Sequence, residues 1–149
     1  MLLNEYDYCF IGDLGLSIMK SEAINFKDIK GVMPYLAPEL LTGHGSYSQA
    51  TDVYAFGIIM WEISSHEKPF GEVDHDLQLA LSIVKGLRPE ITEDTPPFYR
   101  DLMQKCWNPD PTTRPTAQEI YDQIVMWYGN PTEEIQVQLK KAKMIVKEL

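Results

Sequence analysis

A mainly α-helical fold with one or two short strands at the N-terminus is predicted by three observations. From Ser48 onward apolar residues recur at helical intervals, block after block. The blocks are parted by Pro69-Phe70-Gly71, Gly86, Asn108-Pro109-Asp110-Pro111 and Gly129-Asn130-Pro131, each a helix stop. A short apolar run of strand character stands near the start of the chain, at Tyr8-Cys9-Phe10-Ile11, and is closed by Gly12-Asp13.

The elements follow in order. Residues 16–34 mix Lys, Ser and Asp with Gly31 and Pro34 and show no period, so a long loop is expected there, and loops of that length are usually functional. A helix from Ser48 carries Ala50, Val53, Tyr54, Gly57, Ile58 and Trp61. Residues 53–63 are apolar nearly all round, which predicts a helix enclosed by the core. Gly57 inside that helix costs about 1 kcal/mol relative to Ala, so another backbone is expected to pass close to it. Leu77, Ala80, Leu81 and Val84 form an amphipathic stripe ending at Gly86. Phe98, Leu102 and Cys106 stripe a further helix after Pro96-Pro97. Thr116-Ala117-Gln118-Glu119 is a capping box, followed by an apolar face of Ile120, Ile124 and Trp127. Thr132 caps a last amphipathic helix through Ile135, Leu139, Ala142 and Ile145, whose lysines predict a solvated helix packed on the body.

Composition excludes several classes. The chain has 149 residues, 44% of them hydrophobic, enough for about one domain with a real core and no disulfide or metal staple. Charge or proline interrupts every apolar run before membrane-spanning length, so no membrane role is expected. The first ten residues hold acids and no base, unlike a signal or transit peptide, and a cytoplasmic location is expected. With 22 acids against 13 bases the net charge is −9, a poor match to a phosphate backbone, so no nucleic-acid partner is expected. The tail at 130–149 is the basic exception, with Lys140, Lys141, Lys143 and Lys147. Cys9 and Cys106 are far apart, and with only three histidines a zinc site is not expected; both read as small buried hydrophobes.

Four motifs in one order carry the functional reading. Asp13-Leu14-Gly15 is followed, after 21 residues, by Ala37-Pro38-Glu39. Asp52-Val53-Tyr54-Ala55-Phe56-Gly57 opens the apolar helix. Leu102-Met103-Gln104-Lys105-Cys106-Trp107 is followed by Pro111 and Arg114-Pro115. Together these resemble the C-terminal half of a protein kinase domain of the tyrosine-kinase or tyrosine-kinase-like type, over residues 1–128. The resemblance implies an activation segment at 13–39, a helical core at 48–128 and an added helical tail at 129–149.

The resemblance also implies roles. Asp13, with Leu14 in the place of the family's Phe, would be a magnesium ligand, and Gly15 would allow the sharp turn that leaves the metal site. Glu39 and Arg114 would form a partly buried ion pair, for which the planar guanidinium suits a carboxylate better than an ammonium does. Asp52 would accept hydrogen bonds from the catalytic-loop backbone. Val32, Pro34 and Tyr35 would line the loop that receives the substrate. Valine stands at 32, where many Ser/Thr kinases carry threonine, and it cannot donate that residue's hydrogen bond, so tyrosine acceptors stay open beside serine and threonine. Ser17, Ser21 and Tyr35 are the loop's hydroxyls. ATP and Mg²⁺ are the implied cofactors of the complete domain, and a protein substrate or signalling partner is implied.

The 149 residues contain no G-x-G-x-x-G, no strand lysine ahead of Asp13 and no H-R-D catalytic loop. The catalytic Asp and the ATP-binding Lys are therefore expected upstream of Met1, and the chain is expected to be inactive alone and to bind no nucleotide tightly. The alternatives are an interaction module derived from a kinase, acting through surfaces around residues 66–90, or a remnant without function.

Overall fold

The computed structural model describes residues 2–3, 9–10, 32–43 and 45–148, with side chains within 32–43 and 45–142. Two short strands, β1 (Leu2–Leu3) and β2 (Cys9–Phe10), pair antiparallel with Leu2 opposite Phe10. The expected strand at Tyr8–Ile11 thus falls on β2, while Tyr8 and Ile11 themselves lie outside the described residues. The rest is helical. Its order is a 3-10 turn at Met33–Tyr35, α1 (Pro38–Leu41), α2 (Gln49–Ser65), α3 (Leu77–Val84), α4 (Pro97–Cys106), a 3-10 turn at Pro111–Thr113, α5 (Ala117–Gly129) and α6 (Glu133–Glu148). This is the mainly α architecture expected from the pattern.

The end of the expected loop is not shapeless. Met33 and Pro34 belong to the 3-10 turn, where the proline ring fixes φ at a helical value. One turn is too short to leave a period in the sequence. Helix α1 was likewise invisible to periodicity, and it starts at Pro38, which needs no amide partner at that position.

Helix α2 begins with a reciprocal cap. The Thr51 amide donates to Ser48 Oγ at 3.4 Å, and the Ser48 amide donates to Thr51 Oγ1 at 3.0 Å. The helix ends where His66 turns left-handed at φ 59°. Val53, Tyr54, Ile58, Met60 and Trp61 are buried, and enclosing Ile58 alone contributes about 1.5–3 kcal/mol. The expectation of burial all round needs correction, because Ile59 and Ile63 are 43% and 62% exposed. Among the described residues, α2 is covered by α4 and the Met33–Tyr35 turn, which leaves a second side open.

Gly57 sits where α4 arrives. A Cβ added there would lie 2.9 Å from Cys106 Cβ and 3.1 Å from the Trp107 nitrogen. Leu102, Met103, Cys106 and Trp107 of this crossing join Tyr54, Ile58, Trp61 and Ile120 in the main core. Cys106 is fully buried, as expected, and the Cys9 side chain falls outside the described ones. Tyr99 ties the same pair of helices, donating from its hydroxyl to the Met60 carbonyl at 2.9 Å.

A second cluster forms where α3 meets α1, from Met33, Leu41, Leu79, Ala80 and Ile83. The expected stripe of α3 holds at Ala80 and Val84, which pack in or against this cluster, and is corrected at Leu77 and Leu81, which face outward while Leu79 and Ile83 face the cluster. The segment Leu-Gln-Leu-Ala-Leu-Ser-Ile-Val is apolar on two faces, so the pattern could not choose between them. Asp76 caps this helix through the amides of Gln78 and Leu79.

Helix α5 carries the expected capping box, with Glu119 accepting from the Thr116 amide at 2.7 Å. Its expected apolar face is only partly used. Ile120 is buried, Trp127 half-buried against Phe98 with ring centroids 4.8 Å apart, and Ile124 is 40% exposed. Helix α6 returns over α4: Ile135 is buried, and the Phe98 amide donates to Gln138 Oε1 at 3.0 Å. Ile145 of the expected stripe lies beyond the described side chains. Among the described residues no helix is long and apolar enough to cross a membrane.

Candidate functional site

The chain between Val32 and Leu41 is held in place by three contacts. At the first, the Tyr35 amide closes the 3-10 turn on the Val32 carbonyl at 3.0 Å, with Pro34 buried and Val32 and Tyr35 half-buried. The Tyr35 hydroxyl then donates to Glu62 Oε2 at 2.8 Å. Burial, and next the hydrogen bond to Glu62, push the Tyr35 phenol up to about 12.

The second anchor is Glu39, on the first turn of α1. Arg114 reaches it with a two-pronged contact, NH1 to Oε1 at 2.7 Å and NH2 to Oε2 at 2.8 Å. The guanidinium side chain is fully enclosed and the carboxylate side chain 20% exposed. Arg114 also donates to the carbonyls of Ala50, Asn108 and Pro109, so one side chain joins α1, the start of α2 and the turn before α5. That turn is pre-formed: Asp110 accepts from the Thr112 amide and hydroxyl, which hold its carboxyl below the usual range. A fully satisfied buried guanidinium escapes the penalty of an unpaired charge.

The third is a backbone contact. The Gly45 amide donates to the Glu39 carbonyl at 2.9 Å, and a Cβ at 45 would stand 2.7 Å from that oxygen. Only a residue without a side chain fits so close to α1.

Tyr54 lies beneath this frame. Its ring is buried between two guanidinium groups, Arg88 at 5.0 Å and Arg114 at 5.3 Å from the centroid. Desolvation raises its phenol to about 12 against the lowering pull of both arginines. Arg88 donates to the carbonyls of Ile83, Leu87 and Trp107, stapling the end of α3 to the end of α4.

The sequence-named residues therefore fall into three groups. Glu39 and Arg114 meet directly, while Val32, Pro34 and Tyr35 belong to the turn that Tyr35 bonds to Glu62 of α2. Asp52 stands exposed in the first turn of α2, and its carboxylate makes no hydrogen bond among the described residues. Asp13 and Gly15 lie outside the described residues, as do Ser17 and Ser21. Among the described residues no group of three or more His, Cys, Asp or Glu could hold a metal.

Glu62, Tyr54 and Arg88 were not singled out from the sequence. Glu62 had a signal: it is the one acid inside the apolar stretch 53–63, where an acid needs a partner. Arg88 had none, since an arginine before a proline reads as a loop cation.

The family model described as protein tyrosine and serine/threonine kinase matches residues 1–124. A probable serine/threonine-protein kinase of Dictyostelium discoideum is 41% identical over 121 residues, which is 80% of this chain and 13% of that protein. The dual specificity protein kinase shkA of the same organism is 37% identical over 117 residues, 75% of this chain and 22% of the relative. The serine/threonine-protein kinase STY17 of Arabidopsis thaliana is 32% identical over 125 residues, 83% of this chain and 22% of its own length. The chain spans less than a quarter of the length of these relatives. A family match of this extent, with Ala37-Pro38-Glu39 bound to Arg114, leads to one conclusion: the chain belongs to the protein tyrosine and serine/threonine kinase family.

Proposed function

We propose that this chain is the activation segment and helical lobe of an ATP-dependent protein kinase that phosphorylates protein hydroxyls, serine or threonine first and tyrosine not excluded. The observation that carries this reading is the two-pronged Arg114–Glu39 contact, which fixes the end of the activation segment to the helical core. Phosphoryl transfer depends on positioning and on charge stabilisation, so a substrate-facing loop must be rigidly based. Val32, Pro34 and Tyr35 would form that base, with Tyr35 held by Glu62. In the complete domain ATP and Mg²⁺ are the family's cofactors, and the metal neutralises charge developing on the phosphate oxygens. Asp13 is the residue of this chain assigned to the metal, Gly15 to the turn beside it and Asp52 to support of the catalytic loop. The protein is assigned to the cytoplasm, with protein partners and neither nucleic acid nor membrane.

A second reading rests on the surface around residues 66–90, where Glu67, Glu72 and Glu90 stand exposed. On that reading the chain is a kinase-derived interaction module without catalysis. Both are tested on the protein isolated from its own cells with an antibody against residues 130–149. The kinase reading expects phosphate transfer from ATP to a protein substrate, lowered about 100-fold or more by Asp13→Asn. No transfer, together with no Mg-ATP shift of the thermal midpoint, would leave only the interaction module.

A further inference from the structure

We propose that the groove between the end of α2 and the segment after α3 is a docking site for a lysine- or arginine-rich segment of a partner protein bearing an apolar anchor. The groove encloses about 930 Å³. Trp61, Phe70 and Ile91 give it an apolar floor, and the Trp61 indole donates to the Glu90 carbonyl at 2.6 Å, fixing one wall. The volume suits several side chains, in the range of ordinary ligand pockets.

Its rim is acidic. Glu67, Glu72, Glu90 and Glu93 all line the groove, and all four are exposed. None of them is in an ion pair among the described residues, where the pairs are Arg114–Glu39 and Arg100–Asp101. Two cations share the lining, Lys68 and Arg88. Arg88 turns inward, onto three backbone carbonyls and the Tyr54 ring, with its NH2 buried and without a partner among the described residues, so two cations stand against the four carboxylates. Like charges around a low-dielectric floor focus a field that draws in the opposite sign. The complementary ligand is cationic and partly apolar, which describes a basic peptide segment better than a free metal ion or an anion. A second copy of the chain is a poor occupant, since each carries a net charge of −9. The docking does not require catalysis, so a failed kinase assay leaves it standing.

The test starts from a random peptide library displayed on phage and selected on the 149-residue chain. Enriched sequences are expected to join two or more Lys or Arg to an aliphatic or aromatic residue. Synthetic copies, measured by fluorescence anisotropy, should lose about tenfold or more in affinity with the pair Glu72→Lys and Glu93→Lys. The same loss is expected on going from about 0.05 M to about 0.5 M salt. The pair Glu133→Lys and Glu134→Lys changes net charge equally, far from the groove in sequence, and should leave affinity unchanged. Melting curves of both pairs are compared with the parent, and Glu67→Gln with Glu90→Gln replaces the first pair if it melts early. No enrichment, peptides without basic residues, or equal weakening by the control pair would overturn the proposal. So would self-association in sedimentation velocity that the groove variants abolish, because the occupant would then be a second copy.

Discussion

The hydroxyl of Tyr35 lies 2.8 Å from Glu62 Oε2, so the 3-10 turn at Met33–Tyr35 is bonded to an acid within α2. Both side chains are half-buried, and neither has another described partner for this contact. Tyr35→Phe leaves Glu62 without its donor and should cost about 1–2 kcal/mol. Urea unfolding checks it: an unchanged midpoint would mean that water replaces the phenol at no loss.

The same group makes the protein sensitive to alkali. Tyr35, Tyr54, Tyr99 and Cys106 are all pushed up to about 12, chiefly by burial. In the unfolded chain a tyrosine ionises near 10 and a cysteine near 8.5. The unfolded state therefore gives up protons first, and the stability these groups contribute is full below about pH 8.5 and falls as pH rises through 12. Denaturant midpoints measured between about pH 8 and 11 should decline, and the decline should be shallower in Tyr35→Phe. A flat profile would contradict the burial of these groups.

Breaking the contact of Arg114 with Glu39 should be the most damaging single change considered. Arg114→Met strands the carboxylate and several carbonyls, at about 3 kcal/mol or more. Arg114→Lys should recover only part of this, because an ammonium cannot grip both oxygens. In a double-mutant cycle with Glu39→Gln, the two losses should fall well short of additive. Additive losses would mean that Arg114 acts only through the carbonyls of Ala50, Asn108 and Pro109.

Gly57→Ala sets helix propensity against packing. Alanine gains up to about 1 kcal/mol in a helix, and forcing a Cβ to 2.9 Å from Cys106 costs about 1–3 kcal/mol. The net should be destabilising. Gly129→Ala, where an added Cβ meets nothing within 4 Å, should be neutral or slightly stabilising by comparison. Thermal midpoints of the two variants decide whether the crossing of α2 and α4 is as close as described.

Among the described residues, helix α6 rests on few contacts, chiefly buried Ile135 and the Gln138–Phe98 hydrogen bond. Ile135→Ala should cost about 2 kcal/mol locally. Hydrogen exchange should show the amides of α6 losing protection while those of α2 keep theirs. Equal loss in both helices would make α6 part of one cooperative unit with the core.

By itself the sequence determined the helical class, the order of the longer helices and the caps at Thr116 and Thr132. A cap is a contact between residues three apart, so its partners are written next to each other in the chain. The sequence also carried the kinase motifs, and it suggested from Gly57 alone that another backbone passes there. Only the tertiary structure decided which face of α3 turns inward and which side of α2 stays open, because a segment apolar on several faces satisfies more than one packing. It alone put Tyr35 on Glu62 and seated Tyr54 between Arg88 and Arg114. Those partners come from separate helices and turns, and the angle at which helices cross is set by the packed core as a whole.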